Sequence, residues 1–181
     1  GNISGQLLTF AFPIFMANLL QIVYNMVDMI IVGNQLGKTG ISAVAVGGDV
    51  TGLLTFIAMG FANAGQVLIA KLIGFGHREK IGKFVGTMCG FLMVTSCVIS
   101  MIGLLFRKEM LVLMNTPAEA YEGALSYSVT CMVGLVFITG YNMCSAILRG
   151  MGDSKHPFLF IGIAAVINLV LDVILVIFCD F

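Results

Sequence analysis

An all-α polytopic membrane protein, crossing the bilayer on five transmembrane helices, is the fold class predicted by three observations. Of 181 residues, 59% are hydrophobic and 10% charged, and the mean hydropathy is +1.06. A soluble domain of ordinary composition is about 25% charged, so this chain has too few charges to cover a surface facing water. The apolar residues gather into five stretches, roughly 7–32, 41–73, 81–106, 121–148 and 158–181. A helix crossing about 30 Å of hydrocarbon needs about 20 residues at a rise of about 1.5 Å each, and every stretch is long enough. None shows the period-2 alternation of a barrel strand, and in lipid an unbroken apolar run satisfies its own backbone only as a helix.

Each element has its punctuation. Gly33-Asn34-Gln35-Leu36-Gly37 ends the first span and Gly74-Phe75-Gly76-His77 ends the second. In the third, Gly82, Gly86 and Gly90 recur every four residues, predicting a smooth face for close helix approach. Thr116-Pro117-Ala118-Glu119 reads as a capping box opening the fourth span, with proline at its first helical position. Pro157 is expected to open the fifth. Gly1 at the start, and the apolar run ending at Phe181, suggest an incomplete chain.

Charge and cysteine narrow the function classes. Nine basic residues balance nine acidic ones, which argues against a nucleic-acid partner needing a basic face. Cys89, Cys97, Cys131, Cys144 and Cys179 lack CxxC spacing and nearby histidine pairs, so they read as small apolar residues, with no metal and no disulfide implied. A basic n-region followed by a small-residue cleavage site is not visible. Lys71, Arg78, Lys80, Lys83, Arg149 and Lys155 fall on one side of the predicted membrane, against Lys38, Arg107 and Lys108 on the other. The positive-inside rule then places the amino terminus in the cytoplasm, in a multi-pass protein of the cell membrane.

The informative residues are the polar ones that lipid should exclude. Asp28 lies in the first span and Asp172 in the fifth, each fifteen residues after a proline, Pro13 and Pro157. Both acids therefore sit about 22 Å beyond their prolines, at similar depth. Gln21, Tyr24 and Asp28 share a helix face, as do Asn168 and Asp172. A carboxylate at membrane depth costs about 2.5–3.5 kcal/mol on insertion scales. Near a helix end such an acid can snorkel to the interface, but two matched columns with amide neighbours point to one inward-facing site for a proton or cation. Asn142, Asp49, Asn63 and Gln66 are further polar positions in spans, each able to line a cavity or to be satisfied by packing. Pro13 lacks a backbone donor, so the first helix has a hinge where it can bend when the acids change protonation.

These residues carry a resemblance. Pro13 followed by Gln21-Ile-Val-Tyr24-Asn-Met-Val-Asp28-Met-Ile-Ile-Val-Gly33 resembles the first helix of the multidrug and toxic compound extrusion (MATE) family. Leu148-Arg149-Gly150-Met151-Gly152-Asp153-Ser154-Lys155-His156-Pro157 resembles that family's fourth–fifth loop, and Asn168-Leu-Val-Leu-Asp172 its fifth helix. The resemblance covers essentially the whole chain. It implies most of the first six-helix lobe of a twelve-helix transporter, with a second lobe of the same chain as partner. It further implies an antiporter expelling small organic cations across the lipid bilayer in exchange for Na⁺ or H⁺, with no other cofactor and no enzymatic activity. Asp28, Asn168 and Asp172 would form the Na⁺ or proton site, with Gln21 and Tyr24 lining its polar network; Asn142 joins the expected cavity lining on its own polarity alone.

Two rivals are distinguishable. A lipid-linked oligosaccharide flippase of the same superfamily would line its cavity with basic residues to meet pyrophosphate, whereas no Lys or Arg lies well inside any predicted span. Gly150-Met-Gly152-Asp153 matches the GxGD of intramembrane aspartyl proteases, but Asp153 stands in a charged loop and the partner Tyr-Asp dipeptide is missing.

Overall fold

The computed structural model describes residues 3–172 and residue 174; the remainder of the predicted fifth span, with Cys179, lies outside the described residues. Among the described residues all regular structure is helical. Helix α1 (Ile3–Gly74) contains one non-helical residue, Gly37, at φ 64°, ψ −155°. Its 72 residues would measure about 108 Å if straight, far beyond one bilayer crossing. Glycine accepts the left-handed φ that divides it into arms 3–36 and 38–74. The first two predicted spans are these arms, with the break at the last residue of the predicted turn.

The rest of the chain comprises α2 (Arg78–Leu105), α3 (Arg107–Leu113), a 3₁₀ turn (Ala118–Ala120), α4 (Tyr121–Gly150) and α5 (Lys155–Asp172). The short α3 falls between the predicted third and fourth spans. α1, α2 and the 3₁₀ turn joined to α4 are long and apolar enough to cross a membrane, and α5 is a shorter apolar helix. The chain forms two compact units, residues 1–37 with 152–181, and Lys38–Met151.

Within Lys38–Met151, buried residues recur at helical spacing. They include Ala43, Val50, Leu54, Ala58, Ala62 and Ile69 on the second arm of α1, and Ala124, Ser128, Met132, Leu135, Thr139, Met143 and Ala146 on α4. Most are small. Lipid is as apolar as a leucine side chain, so helices gain little by hiding apolar surface from it and associate through close backbone approach and hydrogen bonds. Gly47, Gly65, Gly103 and Gly150 each sit where an added Cβ would collide with a neighbouring helix. Ser100 Oγ donates to the Met132 carbonyl at 2.6 Å, joining α2 to α4. Thr51 Oγ1 donates back to the Gly47 carbonyl and Ser128 Oγ to that of Leu125, the usual solution for a hydroxyl inside a helix.

Three expectations are corrected. A Cβ at Gly82, Gly86 or Gly90 would meet nothing within 4 Å, so this stripe is not where the described helices pack. The inward face of α2 carries Met88, Leu92 and Ser96, offset by two residues, or about 200°, from the glycines. A glycine repeat marks a smooth face without fixing which way it turns.

The capping box at Thr116 does not form. Thr116 Oγ1 donates at 2.7 Å to the Leu111 carbonyl at the end of α3. Pro117 takes an extended ψ of 138° ahead of the 3₁₀ turn, which has no side-chain cap. The Thr116 amide donates to the same carbonyl at 3.2 Å, so both donors of Thr116 point back to α3 and the hydroxyl caps no amide ahead.

Helix α5 begins at Lys155, two residues before Pro157. Asp153 Oδ1 accepts from the amides of Lys155 (3.1 Å) and His156 (3.2 Å), and Oδ2 pairs with the His156 ring. The His156 amide, followed by its ring and the Lys155 amide, outweighs desolvation and holds the Asp153 carboxyl below its usual range. A carboxyl with a depressed folded pKa stabilises above its unfolded value and loses that contribution as pH falls through the folded one. Hydrogen exchange should therefore show the first turn of α5 protected above about pH 4 and loosened below it. In Asp153→Asn this acid step should vanish; its persistence would place the effect elsewhere.

Candidate functional site

In the unit formed by residues 1–37 and 152–181, the first arm of α1 faces α5 across a cleft of about 180 Å³. Leu20, Val23, Tyr24 and Val27 form one wall, and Gly162, Ala165, Val166, Asn168 and Leu169 the other. Gly162 and Ala165 supply the space: a Cβ on Gly162 would stand 3.9 Å from Leu20 Cδ2, and Ala165 is buried. That contact joins the low-numbered ends of both walls, so the walls run parallel.

Tyr24 and Asn168, both half-buried, are the polar members of the lining. The other expected residues are distributed as follows. Asp28 is half-buried, one turn beyond Tyr24. Asp172 ends α5 one turn beyond Asn168, and its side chain lies outside the described residues. Counted from the Leu20–Gly162 contact, the two acid positions lie eight and ten residues along their helices, about 12 and 15 Å, beyond the same end of the cleft. Gln21 is exposed and absent from the lining. Asn142 belongs to the other unit, half-buried on α4, where its Nδ2 donates to the Ile138 carbonyl at 3.0 Å. Pro13 is half-buried inside α1, which continues helically through it.

The chemistry available is that of hard oxygen donors: a carboxylate, an amide carbonyl and a phenol, with the backbone position of a second acid, Asp172, one turn beyond Asn168. Such groups suit a proton or Na⁺. Among the described residues no cluster of three or more His, Cys, Asp or Glu gathers to hold a metal ion. Sequence reasoning missed the small pair Gly162 and Ala165 that opens the cleft, although their spacing is the signal for it. It also missed that Gln66 accepts a hydrogen bond from Arg149 Nε at 3.0 Å.

A family model described as MatE matches residues 13–174. The chain belongs to the MatE family. The MatE match takes in both arms of α1, both walls of the cleft, and the positions of Asp28, Asn168 and Asp172. Among curated relatives, the probable multidrug resistance protein YpnP of Bacillus subtilis is 30% identical over 171 residues, covering 94% of this chain and 38% of YpnP. An FAD transporter of Shewanella oneidensis is 25% identical over 145 residues, 79% of this chain and 32% of that protein. A MOP superfamily transporter from Pyrococcus furiosus, described as having a binding pocket of reverse polarity, superposes with a TM-score of 0.87 at 25% identity. That superposition covers 96% of this chain and 38% of the other. The chain thus spans less than two fifths of the length of these relatives.

Proposed function

We propose that the protein containing this chain is a secondary transporter that exports organic cations in exchange for Na⁺ or H⁺. Asp28, Asn168 and Asp172 form the coupling-ion site and Tyr24 its neighbour in the cleft. The observation that carries the reading is the cleft itself: Tyr24 and Asn168 face it from two helices, and each is followed one turn later by an acid at the same end. Relatives named for multidrug resistance support it. Competition between an organic cation and a coupling ion for one pair of carboxylates produces exchange, because each ligand favours the state that releases the other. Pro13 leaves the Thr9 carbonyl without its helical donor, which makes the first arm the element that bends between those states. The amino terminus is assigned to the cytoplasm by the distribution of basic residues.

The test is efflux of a fluorescent organic cation from vesicles holding the complete protein, under an imposed Na⁺ or H⁺ gradient. One gradient should drive efflux and thereby name the ion. Pro13→Ala should slow that turnover while leaving cation binding unchanged. Absence of driven efflux under either gradient would overturn the proposal.

A further inference from the structure

We propose that Arg149, together with Gln66 and Ser145, forms an oxyanion site that takes a phosphate group at the end of α4. Three observations meet there. Arg149 is half-buried in the last turn of α4, and its Nε donates to Gln66 Oε1 on the second arm of α1 at 3.0 Å. The partner is a neutral amide. Among the described residues Arg149 makes no ion pair, and its two terminal nitrogens make no hydrogen bond. Arg107, the other half-buried arginine, instead spends a terminal nitrogen on the Leu104 carbonyl at 2.8 Å. Asp153, four residues beyond Arg149, is engaged by the Lys155 and His156 amides and the His156 ring.

The third observation is Ser145, one turn before Arg149 on the same helix face. Ser145 is 2% exposed and its Oγ has no hydrogen-bond partner. Buried hydroxyls are bonded as a rule; Thr51, Ser96, Ser100 and Ser128 in the same unit donate to carbonyls, and of the two that do not, Thr139 and Ser145, Ser145 is the one a single turn from Arg149. An orphaned buried donor one turn from a guanidinium with a free edge is the donor set of an oxyanion site. The planar fork binds two oxygens of a phosphate at once, Gln66 fixes the plane of that fork, and the hydroxyl offers a third donor. A half-buried cation beside apolar helices also lies where partial desolvation strengthens its attraction for an anion.

The phosphate comes either from a phospholipid headgroup or from a free anion. Two titrations of the complete, delipidated protein separate these sources: phosphatidylglycerol, followed by native mass spectrometry, and inorganic phosphate, followed by calorimetry. Arg149→Gln should weaken one of them at least about tenfold, as expected for loss of a charge-assisted hydrogen bond. Arg149→Lys should weaken it a few-fold, and Arg107→Gln should leave it unchanged. Loss confined to phosphatidylglycerol assigns the headgroup, and loss confined to inorganic phosphate assigns a free anion. If wild type binds neither probe, or folded Arg149→Gln binds both as wild type does, the site does not exist. Should Arg149→Gln fail to fold, unchanged binding in Arg149→Lys overturns the proposal equally. Because the readout is binding, its failure leaves the transport reading untouched.

Discussion

Asparagine in place of Asp28 will abolish gradient-driven efflux of the organic cation while leaving the protein folded. The substitution preserves side-chain volume and hydrogen-bonding capacity and removes only the charge that, on the proposed reading, a coupling ion would neutralise. One elementary charge crossing 100 mV supplies about 2.3 kcal/mol, about fiftyfold in concentration. The accumulation ratio should therefore fall by up to that factor for each charge uncoupled. Asp172→Asn should do the same, since its backbone position lies beyond the same end of the cleft as Asp28. Asn168→Ala should give a smaller loss, because an amide orients an ion without balancing its charge. The decisive measurement is initial efflux rate against imposed gradient for the three variants, with thermal midpoints confirming the fold. Wild-type rates in both Asp variants would move the coupling site out of this unit altogether.

Alanine at Gly150 will be among the most destabilising single-methyl additions in the Lys38–Met151 unit. Its Cβ would stand 2.8 Å from the Gln66 backbone carbonyl and 3.0 Å from Ile69 Cβ. A flexible side chain can swing aside, but a carbonyl belonging to a helix moves only if α1 and α4 separate. Overpacking of this kind costs about 1–3 kcal/mol, and the rigid obstacle places Gly150 toward the upper end. The shift is about 2–4 °C per kcal/mol at 150–250 residues and less at the length of the relatives, so the thermal midpoint should drop by about 2–5 °C. Gly86→Ala is the matched control: nothing lies within 4 Å of its added carbon, and alanine is the better helix former by about 1 kcal/mol. Its midpoint should be equal to or above wild type. Equal midpoints for Gly150→Ala and Gly86→Ala would show that close approach at Gly150 is not what holds the two helices together.

The pair of glycine predictions also marks the boundary between sequence and structure. Composition and the length of apolar runs determined the helical, membrane-spanning class, because lipid leaves the backbone no other way to satisfy itself over 20 or more apolar residues. The sequence likewise singled out Tyr24, Asp28, Asn168 and Asp172, because a polar group in an apolar run is costly and so conspicuous. Other decisions belonged to the tertiary structure. Gly82, Gly86 and Gly90 form the more regular pattern, yet Gly47, Gly65, Gly103 and Gly150 make the contacts. Which face of an apolar helix turns inward depends on its neighbours when both faces are greasy, so a pattern confined to one helix cannot reveal it. Thr116 turned its hydroxyl back to the Leu111 carbonyl of α3, which its own backbone amide also meets, a chain reversal that the capping pattern does not encode. Tyr24 and Asn168 came to one cleft while Gln21 did not, since Gly162 and Ala165 admit the Leu20–Val27 face and the Gln21 side chain projects from another. Arg149 found Gln66 across 83 residues of sequence, a partnership that no spacing rule reaches. Local chemistry is written residue by residue; the pairing of faces is an energy shared between two helices, and it becomes definite only when they meet.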